Sequence, residues 1–486
     1  MKLILPIGLF LALLVGAASA LFGGFGAVVL AMLCFPLVFI LRDYRVGVVL
    51  MITLMPFGNL SFVGSLATVT SPQLLVCYTV GCFVLDRLLS RRPVLLPPPP
   101  VWWRYLLPIG LALLVGLTHL GEVTPSMALL LGDEYSGRFK YLLTLGFKPM
   151  LIVLASVLIA NAARDSARPQ LLLAPVVVST VLLSALLMGF ILWSGLGIAV
   201  ISGSRARNFL SPLGMHANEF GAMFGMGVGI MLFMVPAVKS GLYRLLLCAA
   251  LAISLAALLL TFSRGGYVLA AVAVVYFLLS QRRASLAFGA LACLVVALLL
   301  APKEVYERAG AGIGEAGSGG AIASATASND DQLTAGRLWL WTRTFPNFYR
   351  NPVTGSGLSS QAWSEAVKSG VIKTAQTHNF YLSILYDTGL VGMVVVLSFF
   401  VFVYRAFKSV ARDPATPPLI AAAMNGSAAV LIGYGLMGFT NSTFWPRIEH
   451  IYLWMMFGFC MAYLKAPVTQ AQARRARRQR AALTHC

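Results

Sequence analysis

Apolar runs of about twenty residues recur along nearly the whole chain, and each is long enough to cross the hydrocarbon core of a bilayer as a helix. Inside that core every backbone N–H and C=O must be satisfied within the segment, so runs of this kind form helices. The sequence therefore predicts an all-α, polytopic integral membrane protein. Of its 486 residues 59% are hydrophobic and 11% charged, against about 25% charged in soluble domains, which excludes a water-soluble globule. The first run, Leu3 to Ala20, is followed at once by a second from Leu21. Ala18-Ser19-Ala20 has the small residues of a signal-peptide cleavage site, but a helical hairpin explains both runs, and the segment is read as transmembrane.

A net charge of +20 raises the question of nucleic acid. The basic residues instead form short clusters between apolar runs, the pattern of loops that stay on the cytoplasmic side. Arg42/Arg45, Arg87 with Arg91/Arg92, Arg164/Arg168, Lys239/Arg244, Arg282/Arg283 and Arg405/Lys408/Arg412 alternate with poorly basic loops. Counting between them gives roughly 12 to 14 spans with both termini on the basic side. The tail Arg474 to Arg480 reads as an anchor against anionic membrane lipids, not as a nucleic-acid site. Seven cysteines occur without metal-ligand spacing and read as small buried hydrophobes.

On the opposite side two longer pieces stand out, Gly121 to Phe147 and a hydrophilic loop from about Pro302 to Thr377. In the loop, Ala309 to Ser328 is nearly all Gly, Ala and Ser and cannot bury a core. Gly336 to Tyr349 mixes Leu338, Trp339, Trp341, Phe345 and Phe348 with Arg337 and Arg343, which predicts an amphipathic interfacial helix ended by Asn351-Pro352. The chain thus divides into transmembrane helices over 1–200, helices carrying arginine motifs over 201–301, the loop over 302–378, C-terminal helices over 379–465 and a basic tail over 466–486.

Several arginines lie on the side that topology should keep poor in them: Arg205, Arg207, Arg264, Arg337, Arg343, Arg350 and Arg447. An arginine near membrane depth is expensive, and its planar fork matches phosphate oxygens in pairs, so a group of them points to a phosphate or diphosphate. The alternative is pairing with a carboxylate or snorkelling to headgroups; Arg207 and Arg264 have few acidic neighbours in sequence, Glu219 being the nearest. Three motifs occupy this side. Ser204 to Phe209 leads to His216-Ala217-Asn218-Glu219; Thr261-Phe262-Ser263-Arg264-Gly265-Gly266 joins two apolar runs; Thr377-His378-Asn379-Phe380-Tyr381-Leu382 starts the re-entry into the membrane. A histidine at such a boundary can remove a proton near neutral pH, and Asn379 could fix its tautomer or a substrate hydroxyl. His216 and His450 read as helix-start or interface residues, and Asp387 as a residue that orients His378 or caps the Gly389 turn. No Walker loop, metal-ligand cluster, Gly-x-Ser-x-Gly elbow or Asp-x-Asp pair is present. The sequence therefore calls for no metal and no cofactor.

With these residues the chain resembles the O-antigen ligase and polymerase superfamily of bacterial inner-membrane glycan transferases. The likeness rests on Arg207 with Ala217-Asn218, on Thr261-x-Ser263-Arg264-Gly265-Gly266, on Gly336-Arg337-Leu338-x-x-Trp341 through Gly355-x-Gly357, and on His378-Asn379-x-Tyr381-Leu382 through Gly392, over about residues 200 to 400. A family proline before Asn218 is replaced by Ala217, and the insert before Gly336 is longer than usual. The resemblance implies transfer of a glycan from an undecaprenyl-diphosphate carrier to an acceptor hydroxyl at the periplasmic face, with a lipid A-core sugar as the favoured acceptor. By the same resemblance Arg207, Arg264 and Arg205 would bind the diphosphate, His378 and Asn379 would be catalytic, and Arg337, Arg343, Tyr381 and Ser263 would contact substrate. An O-antigen or exopolysaccharide polymerase and a protein O-oligosaccharyltransferase share these motifs. A transporter is the rival from another class, but it calls for midplane charges and two related halves, and no internal repeat is evident.

Overall fold

The computed structural model describes residues 37–60, 65–66, 69–195, 209–280, 337–439 and 444–464. The N-terminal hairpin, the Gly/Ala/Ser insert, Arg205, Arg207, the side chain of Arg337 and the basic tail lie outside the described residues. Within them the chain is an all-α polytopic membrane protein; eight helices are long and apolar enough to cross a membrane. These are α2 (Ser71–Ser90), α3 (Pro99–Glu122), α4 (Arg138–Asp165), α5 (Pro169–Ser194), α6 (Ala217–Ala237), α7 (Gly241–Leu260), α10 (Phe380–Arg412) and α11 (Pro418–Met437). Shorter apolar helices are α1 (Tyr44–Phe57), α8 (Arg264–Ser280) and α12 (Ile451–Tyr463), and α9 (Arg337–Thr344) lies in the loop. A two-residue antiparallel ladder, β1 (Ser65–Leu66) with β2 (Val69–Thr70), precedes α2.

Helix α6 is the most enclosed span and packs against α8 and α11. Small residues let the backbones approach: a Cβ on Gly266 would lie 2.6 Å from the Gly221 carbonyl oxygen, and one on Gly221 would lie 2.4 Å from Ser263 Cβ. Pairing of Gly221 with Gly266 and of Gly229 with Ala273 makes α6 and α8 parallel, whereas Gly229 against Gly426 and Leu269 against Gly433 make α11 antiparallel to both. The outward faces carry Leu114, Leu182, Leu192, Leu246 and Val394, all exposed, as lipid contact requires.

One end of the bundle is basic. There Arg87 Nη2 lies 2.5 Å from Asp165 Oδ2, the Tyr44 hydroxyl donates to the same oxygen at 2.7 Å, and Arg87 is also 3.6 Å from Asp86. Arg45 donates to the Asp165 carbonyl at 3.2 Å, so three of the basic clusters that the sequence assigned to one side meet in one layer.

Two departures from the sequence reading lie next to prolines. Helix α4 already begins at Arg138, so the external piece expected over Gly121 to Phe147 is shorter than its composition suggested. It accommodates Pro149 through a π-turn over Leu142–Phe147, since proline lacks the amide proton the regular ladder needs. The interfacial helix ends at Thr344 and continues as a 3-10 turn, Phe345–Arg350, because Pro346 interrupts the α pattern.

The loop also enters the bundle. Helix α10 is interrupted at Gly389, which takes a left-handed φ of 67°. Amides of Leu390 and Val391 donate to the carbonyls of Pro352 and Val353, at 2.9 and 3.3 Å, while Ser356 and Gly357 amides donate to those of Tyr386 and Asp387. The loop thus supplies partners for backbone groups that the broken helix leaves unsatisfied, the condition for irregular backbone at membrane depth. Gly389 and Gly355 are required there, since a Cβ on either would come within 2.4 Å of the opposing backbone.

Candidate functional site

The end of the bundle opposite the basic layer collects the starts of α6, α8 and α10. Helix α6 starts at a reciprocal cap: the Glu219 carboxylate accepts the His216 amide at 2.8 Å, and His216 Nδ1 accepts the Asn218 amide at 3.2 Å. His216 is thus a helix-start residue, as read from the sequence. The Ser263 hydroxyl donates to Asn218 Oδ1 at 3.2 Å and accepts the Gly266 amide at 3.3 Å, which ties the first turn of α8 to that of α6. Arg264 is the first residue of α8 and half-buried. A helix start favours anions through its dipole and unmatched amides.

At the start of α10, Asn379 Oδ1 accepts the amides of Tyr381 and Leu382 at 2.9 and 3.1 Å. Asn379 is buried, and this cap fixes the turn that carries His378. His378 is held at a left-handed φ of 50°, and Phe262, two residues before Arg264, has the same value. Non-glycine residues in this region cost on the order of 1 kcal/mol or more and persist where surrounding contacts impose them. The contacts at His378 are specific. The Thr377 hydroxyl donates to the Asn379 carbonyl at 2.9 Å, and Trp341 Nε1 donates to the Thr377 carbonyl at 3.0 Å. The Phe380 amide donates to the Gly438 carbonyl at 2.7 Å, and the Tyr381 hydroxyl donates to the Gly435 carbonyl at 2.7 Å, which joins the start of α10 to the end of α11. Since α11 runs antiparallel to α6 and α8, the Arg264 and His378 motifs occupy the same end of the bundle.

Of the other residues singled out in the sequence, Arg343 is exposed and its guanidinium lies 5.8 Å over the Trp339 ring. Arg350 pairs with Glu365 and donates to the Trp363 carbonyl, so it braces the loop. Asp387 neither orients His378 nor caps Gly389. Its carboxylate accepts the amides of Ser359 and Ser360 and the Ser360 hydroxyl, at 2.8 to 2.9 Å, locking the loop onto α10.

One cluster here escaped the sequence reading. Glu449 is buried, and it and Glu219 approach within hydrogen-bonding reach beside Arg447. Burial opposes the Arg447 charge, but the Glu449, Glu219 and Glu134 carboxylates outweigh it and raise its pKa. His450 is buried with Nε2 3.1 Å from the Tyr434 hydroxyl, and burial depresses its pKa to about 4. Arg447-Ile448-Glu449-His450, three ionisable residues directly before an apolar helix, was the available signal. No group of three or more potential metal ligands occurs among the described residues.

Residues 249–397 match the family model described as O-antigen ligase. No curated protein matches the chain significantly. The matched stretch begins in α7 and ends within α10, so it includes the Arg264 motif, the loop with Trp341 and the His378 motif.

Proposed function

The chain carries an O-antigen ligase domain over residues 249–397 and so belongs to the O-antigen ligase superfamily of membrane proteins, and from this we propose that it transfers a glycan from a polyprenyl-diphosphate carrier to an acceptor hydroxyl. The observation that carries the proposal is that the Arg264 and His378 motifs lie at the same end of the bundle, each set at the first turn of a helix by caps. In this reading Arg264, Arg207 and Arg205 neutralise the diphosphate as it leaves the anomeric carbon. His378 removes the proton of the acceptor hydroxyl, which attacks from the opposite face with inversion. Asn379 and Thr377 hold His378 in its turn, and Ser263 and Tyr381 fix the helix starts around it. Arg337 and Arg343 lie on the loop helix where a glycan chain would pass. The donor bond supplies the driving force in place of a nucleotide, and the arginines neutralise the leaving diphosphate in place of a metal.

A lipid A-core sugar is the proposed acceptor, and the periplasmic face of the bacterial inner membrane is the proposed place. The test is transfer by purified protein given a polyprenyl-diphosphate glycan and a core acceptor, without nucleotide. His378→Ala should lower the rate by about 10²- to 10⁴-fold, the usual contribution of a general base. Arg264→Ala should lower it by a similar factor. Wild-type rates in both variants would eliminate this site. Growth of a longer lipid-linked polymer, with no product on the core, would replace ligase by polymerase.

A further inference from the structure

At the basic end of the bundle, far from the motifs above, a cavity of about 620 Å³ opens between the last turns of α10 and the end of α12. Tyr404, Arg405, Lys408, Arg412, Asp413 and Tyr463 line it. Arg405, Lys408 and Arg412 follow one another at three and four residues, so α10 turns all three to the same side. Arg405 and Arg412 are exposed, and neither has a hydrogen bond or an ion pair within 4 Å among the described residues. Lys408 is held in place: its Nζ donates to Asn425 Oδ1 at 2.7 Å and lies 5.4 Å over the Tyr276 ring. The Tyr276 hydroxyl is in turn 3.3 Å from that of Tyr404. Against these three cations the lining offers one carboxylate, Asp413, which accepts the Ala415 amide at 3.0 Å.

We propose that this cavity is a binding site for a phosphate-bearing anionic headgroup. Guanidinium pairs match phosphate oxygens, and the cavity has room for a headgroup carrying two phosphates. Exposed Val401 on α10 and Leu279 on α8 make the neighbouring surface apolar, as acyl chains require. The tail Arg474 to Arg480 has the same sign as the lining and is unsuited to fill it. Topology alone asks for basic residues near helix ends, not for three of them around one cavity.

The test uses the full chain in mild detergent, with native mass spectrometry reading retention of diphosphatidylglycerol, phosphatidylglycerol and phosphatidylethanolamine offered at equal concentration. Wild type should retain one two-phosphate lipid at least about tenfold better than phosphatidylethanolamine. Arg405→Ala with Arg412→Ala should weaken that retention by about tenfold or more. Arg91→Ala with Arg92→Ala, which removes two basic residues outside the cavity, should leave it unchanged. If the alanine pair does not fold, Arg405→Glu alone carries the same expectation. Inorganic pyrophosphate that binds through Arg405 and Arg412, with no lipid retained, would assign the site to a free anion of the same chemistry. Equal retention of all three lipids, or equal loss in the Arg91/Arg92 variant, would overturn the proposal.

Discussion

The two ends of the bundle use charge differently. At the basic end Arg87 is buried against Asp165, with Tyr44 sharing the same oxygen, so a cation is matched by an anion and the layer holds α1, α2 and α4 together. At the other end ionisable residues sit at helix starts: Glu219 on α6, Arg264 on α8, His378 before α10, Glu449 and His450 before α12. Glu219 closes a helix cap, Glu449 lies beside Arg447, and His450 faces the Tyr434 hydroxyl. The first arrangement fastens helices; the second gathers ionisable residues at one end of the bundle, as the proposed transfer would require.

If that contrast is right, the two ends should fail in different ways. Asp165→Ala leaves buried Arg87 with only the longer approach to Asp86, at 3.6 Å, and should destabilise the fold by about 3–5 kcal/mol, read as a lowered thermal midpoint in detergent, with transfer per folded molecule intact. Adding Arg87→Met should recover most of that loss, since an apolar side chain tolerates the site. A fall in transfer rate with unchanged stability would mean that the basic layer takes part in the chemistry.

The helix starts, by contrast, should respond to pH. His450 is neutral when folded because burial depresses its pKa to about 4, whereas an unfolded histidine titrates near 6.5. The unfolded state therefore takes up the proton first as pH falls, and stability drops from about pH 6.5 down to about 4. Between pH 7 and pH 5 this amounts to about 2 kcal/mol. His450→Gln should remove that component of the pH dependence in thermal unfolding. A variant as acid-sensitive as wild type would assign the effect to another group.

How far the sequence carried this distinction depends on the period of the signal. Twenty-residue apolar runs and one-sided basic clusters are averages over many residues, and the membrane fold and the basic end were legible from them. A helix start was legible where the capping residues are close in sequence, as at His216. What was not legible was set by packing between distant segments. Glu449 meets Glu219 only because α6 and the turn before α12 reach the same end, and Asp387 finds Ser359 and Ser360 only because the loop inserts beside α3 and α10. The Asn379 side chain looked available for substrate in sequence, but the helix it starts uses its oxygen.

The loop helix gives the finest test of the comparison. Trp341 lies 36 residues before Thr377, yet its indole N–H donates to the Thr377 carbonyl, adjacent to the strained turn at His378. Trp341→Phe keeps an aromatic ring and removes that donor, a loss of about 1 kcal/mol if the hydrogen bond contributes the usual net amount. Were the contact only part of the loop's packing, that loss would appear in the thermal midpoint and the transfer rate would stay as it was. If Trp341 instead holds the turn, the free energy appears in the placement of His378. The rate should then fall about fivefold at saturating donor, with KM for the donor little changed, because the proposed diphosphate ligands are arginines and not Trp341. An unchanged kcat with a raised KM would separate the loop from the His378 motif and attach it to substrate binding.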